Sequence, residues 1–225
     1  MSCGPTNPAR RVFLGVAGSF GLMTVASCNT TPVEPSPEPR PAPAPDNALY
    51  PALPDEQFPI PAIKMGQLKR KFQRRQVAYP TPEQPGTVVV DTGRFYLYHV
   101  EAGGTAMRYG VGLGRAGFEW SGRARIAWKR KWPTWTPPDE MIERQPELAK
   151  WSAENGGMPP GLLNPLGSRA LYIFQGKQDT LYRLHGTPEI STIGKAVSSG
   201  CVRLVNHDVI HLYDRVQSGS AIVVI

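Results

Sequence analysis

The sequence is poor in cysteine, in acidic residues and in long apolar runs, and each scarcity narrows what the chain can be. Only 3 of its 225 residues are cysteine, and two of them, Cys3 and Cys28, fall within the first 28 positions. Cys201 therefore stands alone in the remainder of the chain. No apolar stretch reaches the ~20 residues that a membrane span needs. The longest, residues 12–26, runs for about fifteen and suits the h-region of an export signal. Acidic residues number 18 against 25 basic ones, a net charge of +7 that is spread along the chain. A balance this mild gives no nucleic-acid footprint, whereas an anionic membrane face or wall polymer fits it.

Proline is abundant, at 24 residues, and the excess is local. Residues 1–27 carry Arg10 and Arg11, no acid, and then the apolar run; Arg10-Arg11-Val12-Phe13-Leu14 is similar to the twin-arginine export signature. Val25-Ala26-Ser27-Cys28 is similar to a lipobox, in which Cys28 is lipidated and becomes the mature N-terminus. Residues 28–61 are Pro-rich and are expected to form an extended, disordered linker that holds the rest away from a membrane. Residues 62–84 form a basic connecting segment with Lys64, Lys69, Arg70, Lys71, Arg74 and Arg75, expected as a short helix with one solvated basic face. No separate wall-binding module is recognisable.

From residue 85 onward the pattern is β. Thr87 to Asp91 reads as a short apolar strand, and residues 94–100 alternate, with His99 in mid-strand as a structural histidine. Further strands are expected over 105–113, 123–128, 170–174 and 180–185, the last two as a hairpin turning at 176–179 with His185 at the end of its strand. Near the C-terminus Asn206 is placed to cap a helix whose apolar face is Val209, Leu212, Tyr213 and Val216, stopped by Gly219. Residues 221–225 form a final strand. The fold expected is mainly β: a mixed sheet bent into a sandwich- or barrel-like body, with one helix near the C-terminus. His207 and His211 have the spacing of a zinc pair on a helix. No Glu follows His207 in the HExxH manner and no third ligand is evident, so neither metal nor cofactor is expected.

The chemistry concentrates between His185 and Arg203. Cys201 follows Gly200, and His185 lies sixteen positions earlier. A thiol needs a base or positive neighbours to become a useful nucleophile, and a histidine supplies either. Ser198, Ser199 and Gly200 are poor company for a core cysteine, and an exported protein rarely keeps a lone thiol for packing. Amides around Ser199, Gly200 and Cys201 can form a nest of donors for an oxyanion. The arrangement points to acyl transfer through a thioester.

His185-Gly186-Thr187 and Ser198-Ser199-Gly200-Cys201-Val202-Arg203 strongly resemble the L,D-transpeptidases with a YkuD-type catalytic domain. Pro85-Gly-Thr-Val-Val-Val-Asp91, Lys131-Trp-Pro-Thr-Trp-Thr-Pro-Pro138, Asn164-Pro-Leu-Gly167 and Ala170-Leu-Tyr172 extend the resemblance over residues 85–225. One departure is Ser199, where many members carry His.

The resemblance implies the same fold, with Cys201 as nucleophile and His185 as base, its ring oriented by the Gly186 carbonyl. Titration of His185 is expected to appear near neutral pH. The implied donor is a peptidoglycan tetrapeptide stem, the acceptor an amine on another stem, and the product a 3→3 cross-link. Water as acceptor would make an L,D-carboxypeptidase, and a protein lysine would make a lipoprotein-anchoring enzyme; a catalytically silent wall-binding protein is the remaining alternative. Carbapenem-type inhibitors are expected to acylate Cys201. Arg203 either holds a substrate carboxylate or braces the turn, and Tyr182 either lines the cleft or packs. Trp132 and Trp135, in a stiff Pro-rich loop, either grip the glycan-linked peptide or pack beneath the loop. Residence in the periplasm of a Gram-negative bacterium, tethered through Cys28, completes the expectation.

Overall fold

The computed structural model describes residues 49–114, 121–198 and 201–225. The expected export signal and Cys28 lie outside them, as do Ser199 and Gly200. Among the described residues no helix is long and apolar enough to cross a membrane.

Eleven strands form one sheet: β1 (Arg75–Ala78), β2 (Val88–Asp91), β3 (Tyr96–Glu101), β4 (Thr105–Gly110), β5 (Gly112–Gly114), β6 (Gly122–Lys131), β7 (Arg169–Gln175), β8 (Gln178–Thr187), β9 (Ala196–Ser198), β10 (Val202–Val205) and β11 (Ala221–Val224). Their order is β1-β4-β3-β2-β11-β6-β7-β8-β10-β5-β9. Pairing is antiparallel except for β2 with β11, β8 with β10 and β5 with β9, which are parallel. The sheet is therefore mixed, as expected.

Only Val111 separates β4 from β5, yet β4 pairs with β3 and β1 while β5 pairs with β10 and β9. The chain turns a corner at that residue and draws the two ends of the strand order together. Leu97 and Tyr109 from one half share a single buried core with Leu184 and Leu204 from the other. Helix α2 (Asn206–Arg215), which follows the short α1 (Asp139–Arg144) in the chain, fills the bend with Val209 and Leu212. Its last carbonyls are satisfied from outside the helix: Lys129 Nζ donates to the Tyr213 and Val216 oxygens, both at 2.6 Å, the kind of cation expected at a helix C-terminus.

Three expectations need correction. The disordered linker over residues 28–61 does not extend to its stated end. Tyr50 is 3% exposed and Ile60 4%, because Tyr50 enters a cluster with Ile63, Leu68, Phe72, Ile193 and Val205. Its hydroxyl also donates to Asp208 at 3.3 Å and accepts the Arg74 amide at 2.7 Å. The basic segment forms no α-helix: Arg70–Phe72 is a single 3-10 turn, and Arg75–Ala78 is strand β1, paired to β4. Phe72 is pulled into the same cluster and holds the turn in place. Asn206 does not cap α2; it is the helix's first residue, no side chain caps the end, and its oxygen is used elsewhere.

His99 lies buried in β3 as expected. His207 and His211 are engaged separately. His207 Nε2 donates to the Pro51 carbonyl at 2.7 Å, and His211 Nδ1 meets the Tyr109 hydroxyl at 2.8 Å.

Candidate active site

The register of two parallel strands brings the candidate residues together. In β8 and β10, Leu184 lies opposite Val202 and His185 opposite Arg203. Side chains alternate between faces along a strand, and Leu184, Val202 and Leu204 belong to the core. Arg183, His185 and Arg203 therefore emerge on the other face, and Cys201, one residue before β10, continues that row beside Arg183. The hairpin between β7 and β8 adds Ala170 opposite His185 and Tyr172 opposite Arg183. Next to it, β6 sets Arg130 opposite Ala170 and Trp128 opposite Tyr172. Two transverse rows cross the sheet: Arg130, Ala170, His185 and Arg203, then Trp128, Tyr172, Arg183 and Cys201. His185 is inside β8, which runs on to Thr187, and not at the strand end.

His185 is 5% exposed. Its Nδ1–H donates to the Gly186 carbonyl at 2.6 Å, a tautomer that leaves Nε2 with its lone pair free to accept a proton. The pKa is lowered to about 4, chiefly by burial and against the pull of the Gly186 carbonyl; the Arg203 and Arg183 cations lower it further. The imidazole is neutral at physiological pH.

Cys201 is a free, half-buried thiol. Burial pushes it above its ordinary value, opposed by the Arg183 backbone N–H and the charges of Arg183 and Arg203. Its sulfur lies 4.0 Å from the Leu181 carbonyl, and no hydrogen bond joins it to the His185 ring among the described residues. The resting pair is thus a neutral thiol and a neutral imidazole on adjoining strands. Leu181 holds φ 61, a left-handed conformation unusual for a bulky residue. Its amide donates to Asp179 Oδ1 at 2.9 Å, and Asp179 also accepts both Arg183 Nη groups, at 2.7 and 2.8 Å. Asp179 thereby fixes the carbonyl that faces the sulfur and the arginine beside it.

Arg203 makes no hydrogen bond among the described residues. It is 8% exposed, its Nε and Nη2 are buried without partners, and Nη1 approaches Glu189 no closer than 3.8 Å. Among the described residues, bracing of the turn by Arg203 has no hydrogen bond behind it. Tyr182 packs against the main core, on the face opposite His185. Trp135 is half-buried, and its backbone pairs with Met158. Trp132 is only 5% exposed. Its ring meets Phe58 at 4.8 Å and its indole N–H donates to Glu56 at 2.9 Å. Glu56 also accepts from Arg169 at 2.6 and 3.0 Å. The reading of Trp132 as open substrate-gripping surface is therefore corrected: it is pinned from outside the loop by a segment that sequence inspection assigned to a linker.

The residues that support Gly186 are ones whose role the sequence did not disclose. Gly186, whose carbonyl orients His185, lies against Gly167 and Asn206. A Cβ on Gly186 would run into Asn206 Oδ1 and come within 3.0 Å of the Ser168 nitrogen. Asn206 Oδ1 accepts the Ser168 amide at 2.9 Å. Gly167 has φ 60, which a glycine adopts without strain. Asn164, fully buried, donates to the Pro133, Met158 and Pro159 carbonyls at 3.2, 3.1 and 3.0 Å. It ties the Pro133 and Met158–Pro159 parts of the Pro-rich loop together, just ahead of Gly167. Asn164 and Gly167 open and close a motif visible in the sequence, but their function depends on contacts that only folding creates.

Comparison with known proteins identifies the family. The model of the YkuD family, the L,D-transpeptidase catalytic domain, matches residues 85–225. The chain belongs to that family. The probable L,D-transpeptidase ErfK/SrfK of Escherichia coli (strain K12) is 33% identical over 156 residues, covering 67% of this chain and 47% of that protein. This chain thus spans about half the length of the relatives it matches. A solved structure described as a probable carnitine operon oxidoreductase from Brucella melitensis is 47% identical, covering 68% of this chain and 92% of that one, with a TM-score of 0.49. L,D-transpeptidase 3 from Mycobacterium tuberculosis, solved with a faropenem-derived adduct, is 18% identical and covers 61% of this chain and 59% of that one, with a TM-score of 0.39. With TM-scores below 0.5, neither structure bears on the reaction.

Proposed function

We propose that this chain is a cysteine-dependent L,D-transpeptidase that forms 3→3 cross-links between peptidoglycan stem peptides through a thioester. The observation that carries the reading is a buried, neutral His185, its Nδ1–H held by Gly186, on the same sheet face as the free thiol of Cys201. His185 Nε2 takes the thiol proton as Sγ attacks the carbonyl at the L-centre of diaminopimelate in a tetrapeptide stem. Rotation of the thiol away from Leu181 accompanies that step. The C–N bond to the terminal D-alanine breaks, and the imidazolium returns the proton to the departing amine. An amine of a second stem attacks the thioester, gives its proton to His185 and releases the thiol. Amides around Ser199, Gly200 and Cys201 serve the oxyanion, a contribution of about 3 kcal/mol in comparable sites. The buried, unpartnered Nε and Nη2 of Arg203 are donors suited to a substrate carboxylate.

The test is mass spectrometry of the protein with a defined tetrapeptide donor, with and without an amine acceptor. The expected species is an acyl-enzyme lacking D-alanine, converted to amide-linked dimer by the acceptor. Free tripeptide without dimer would identify a carboxypeptidase, and turnover only with a lipoprotein lysine would identify an anchoring enzyme. Binding to sacculi without thiol labelling would mark a silent wall-binding protein. The same reading places the enzyme in the periplasm, exported by residues 1–27 and tethered at Cys28; radiolabelled palmitate incorporated into wild type but not Cys28→Ala would support the tether.

The electrostatics give a second expected result. Because His185 titrates at about 4, kcat/KM for acylation should rise through that pH and stay level from about pH 5 to 8, not titrate near neutrality. Arg203→Gln removes one depressing cation, so its acid limb should move upward. A wild-type limb near 6.5 would show that the buried imidazole is not the base. The same depression makes the fold acid-sensitive: it costs nothing above pH 6.5, and about 3 kcal/mol of stability is lost as pH falls from 6.5 through 4, because the unfolded chain takes up the proton first.

A further inference from the structure

The transverse row that ends at Cys201 begins with an aromatic pair that acyl transfer does not use. Trp128 on β6 and Tyr172 on β7 stack with ring centroids 3.4 Å apart and planes at 11°. The Arg183 guanidinium lies over the Tyr172 ring at 4.4 Å and is anchored by Asp179. The pair is therefore held on one side, while Trp128 remains 40% exposed. β11 pairs with β6 where Ala221–Val224 face Arg125–Gly122, so among the described residues no strand runs beside Trp128 on its outer flank. A large, rigid aromatic face is thus presented to solvent on the same surface as the thiol.

We infer that Trp128, backed by Tyr172 and Arg183, is a sugar-binding platform for the glycan to which the donor stem is attached. This rests on the peptidoglycan reading proposed above and extends it from the peptide to the saccharide. The C–H faces of a pyranose ring are apolar and match an exposed indole, which binds through area and polarisability without needing a deep pocket. The spacing supports the match. Three strand intervals separate β6 from β10, ~14 Å at ~4.8 Å each. From the attacked diaminopimelate carbonyl back to the sugar run three residues, at most ~11 Å when extended, and the lactyl ether adds ~3 Å. A stem laid across the row with its carbonyl at Cys201 therefore delivers its sugar to Trp128.

Two measurements test this. The first is titration of the full chain carrying Cys201→Ala with the peptide-free N-acetylglucosaminyl–N-acetylmuramic acid disaccharide. The indole N–H resonance of Trp128, identified by its loss in Trp128→Ala, is followed, and a saturable shift confined to it is expected. The second compares acylation by a free tetrapeptide with acylation by the same peptide carrying the disaccharide. Wild type should prefer the sugar-bearing donor by about five- to tenfold, Trp128→Phe should keep part of that preference, and Trp128→Ala should reduce it to about one. An unmoved indole resonance, or a preference that survives Trp128→Ala, overturns the platform. If both donors acylate wild type while the indole resonance stays fixed, the platform falls and the transpeptidase reading stands. If the disaccharide shifts Trp128 while neither donor acylates, the platform stands and the cysteine chemistry falls.

Discussion

Cys201→Ala should form no covalent adduct with a carbapenem and no acyl-enzyme with a tetrapeptide donor, whereas wild type gains one drug mass. The loss should exceed about 10³-fold, because removing a nucleophile leaves only binding and oxyanion stabilisation. The fold should change little, within about 1 kcal/mol. The thiol is half-buried and belongs to no disulfide; among the described residues its partners are backbone groups, the Leu181 carbonyl at 4.0 Å and the Arg183 N–H. Mass spectrometry and thermal denaturation of the same samples separate the two effects. An adduct retained in the alanine variant would assign the nucleophile elsewhere. An adduct lost together with the fold would make Cys201 a packing residue.

The second large effect should come from Gly186→Ala, a change of one methyl group outside the reacting pair. The new Cβ would collide with Asn206 Oδ1 and approach the Ser168 nitrogen to 3.0 Å and the Gly167 Cα to 3.2 Å. Backbone is packed against backbone there, so the strand has to shift, at about 1–3 kcal/mol for overpacking. Any shift moves the Gly186 carbonyl that fixes the His185 ring at 2.6 Å. Misplacing a catalytic group by about 1 Å costs about 10²-fold, so acylation should fall by about that factor while Cys201 keeps its reactivity toward a small alkylating probe. Asn206→Ala in the same chain removes the closest obstacle but orphans the Ser168 amide. The double variant should therefore recover part of the lost acylation without regaining wild-type stability. Unchanged acylation in Gly186→Ala would mean that the carbonyl does not orient the base.

Much of this protein is readable without coordinates because local pattern decides it. The alternation around Tyr96 to Val100, the apolar run at Val88 to Val90 and the helical spacing of Val209, Leu212 and Val216 each name an element, since the buried face of a strand or helix repeats at its own period. The solitary Cys201 after Gly200, and His185 sixteen positions before it, suggest the proposed reaction class through chemistry that needs no fold.

The rest depends on contacts distant in sequence. Glu56 belongs by composition to a Pro-rich linker, yet it binds Trp132 and Arg169; composition describes a segment's stiffness and cannot say what it lies against. Trp132 was open to both readings because an aromatic in a loop looks alike whether it faces solvent or packs. His185 titrates at about 4 and not near neutrality because burial and two arginines, brought near by strand register, act on it together. The sequence by itself determined the family, the residue types on which the proposed amide chemistry rests and the periodicities that make the strands around them. Tertiary structure decided which of those strands adjoin, and hence which charges a side chain feels and how much water it keeps, because electric fields and solvent exclusion act through space and not along the chain.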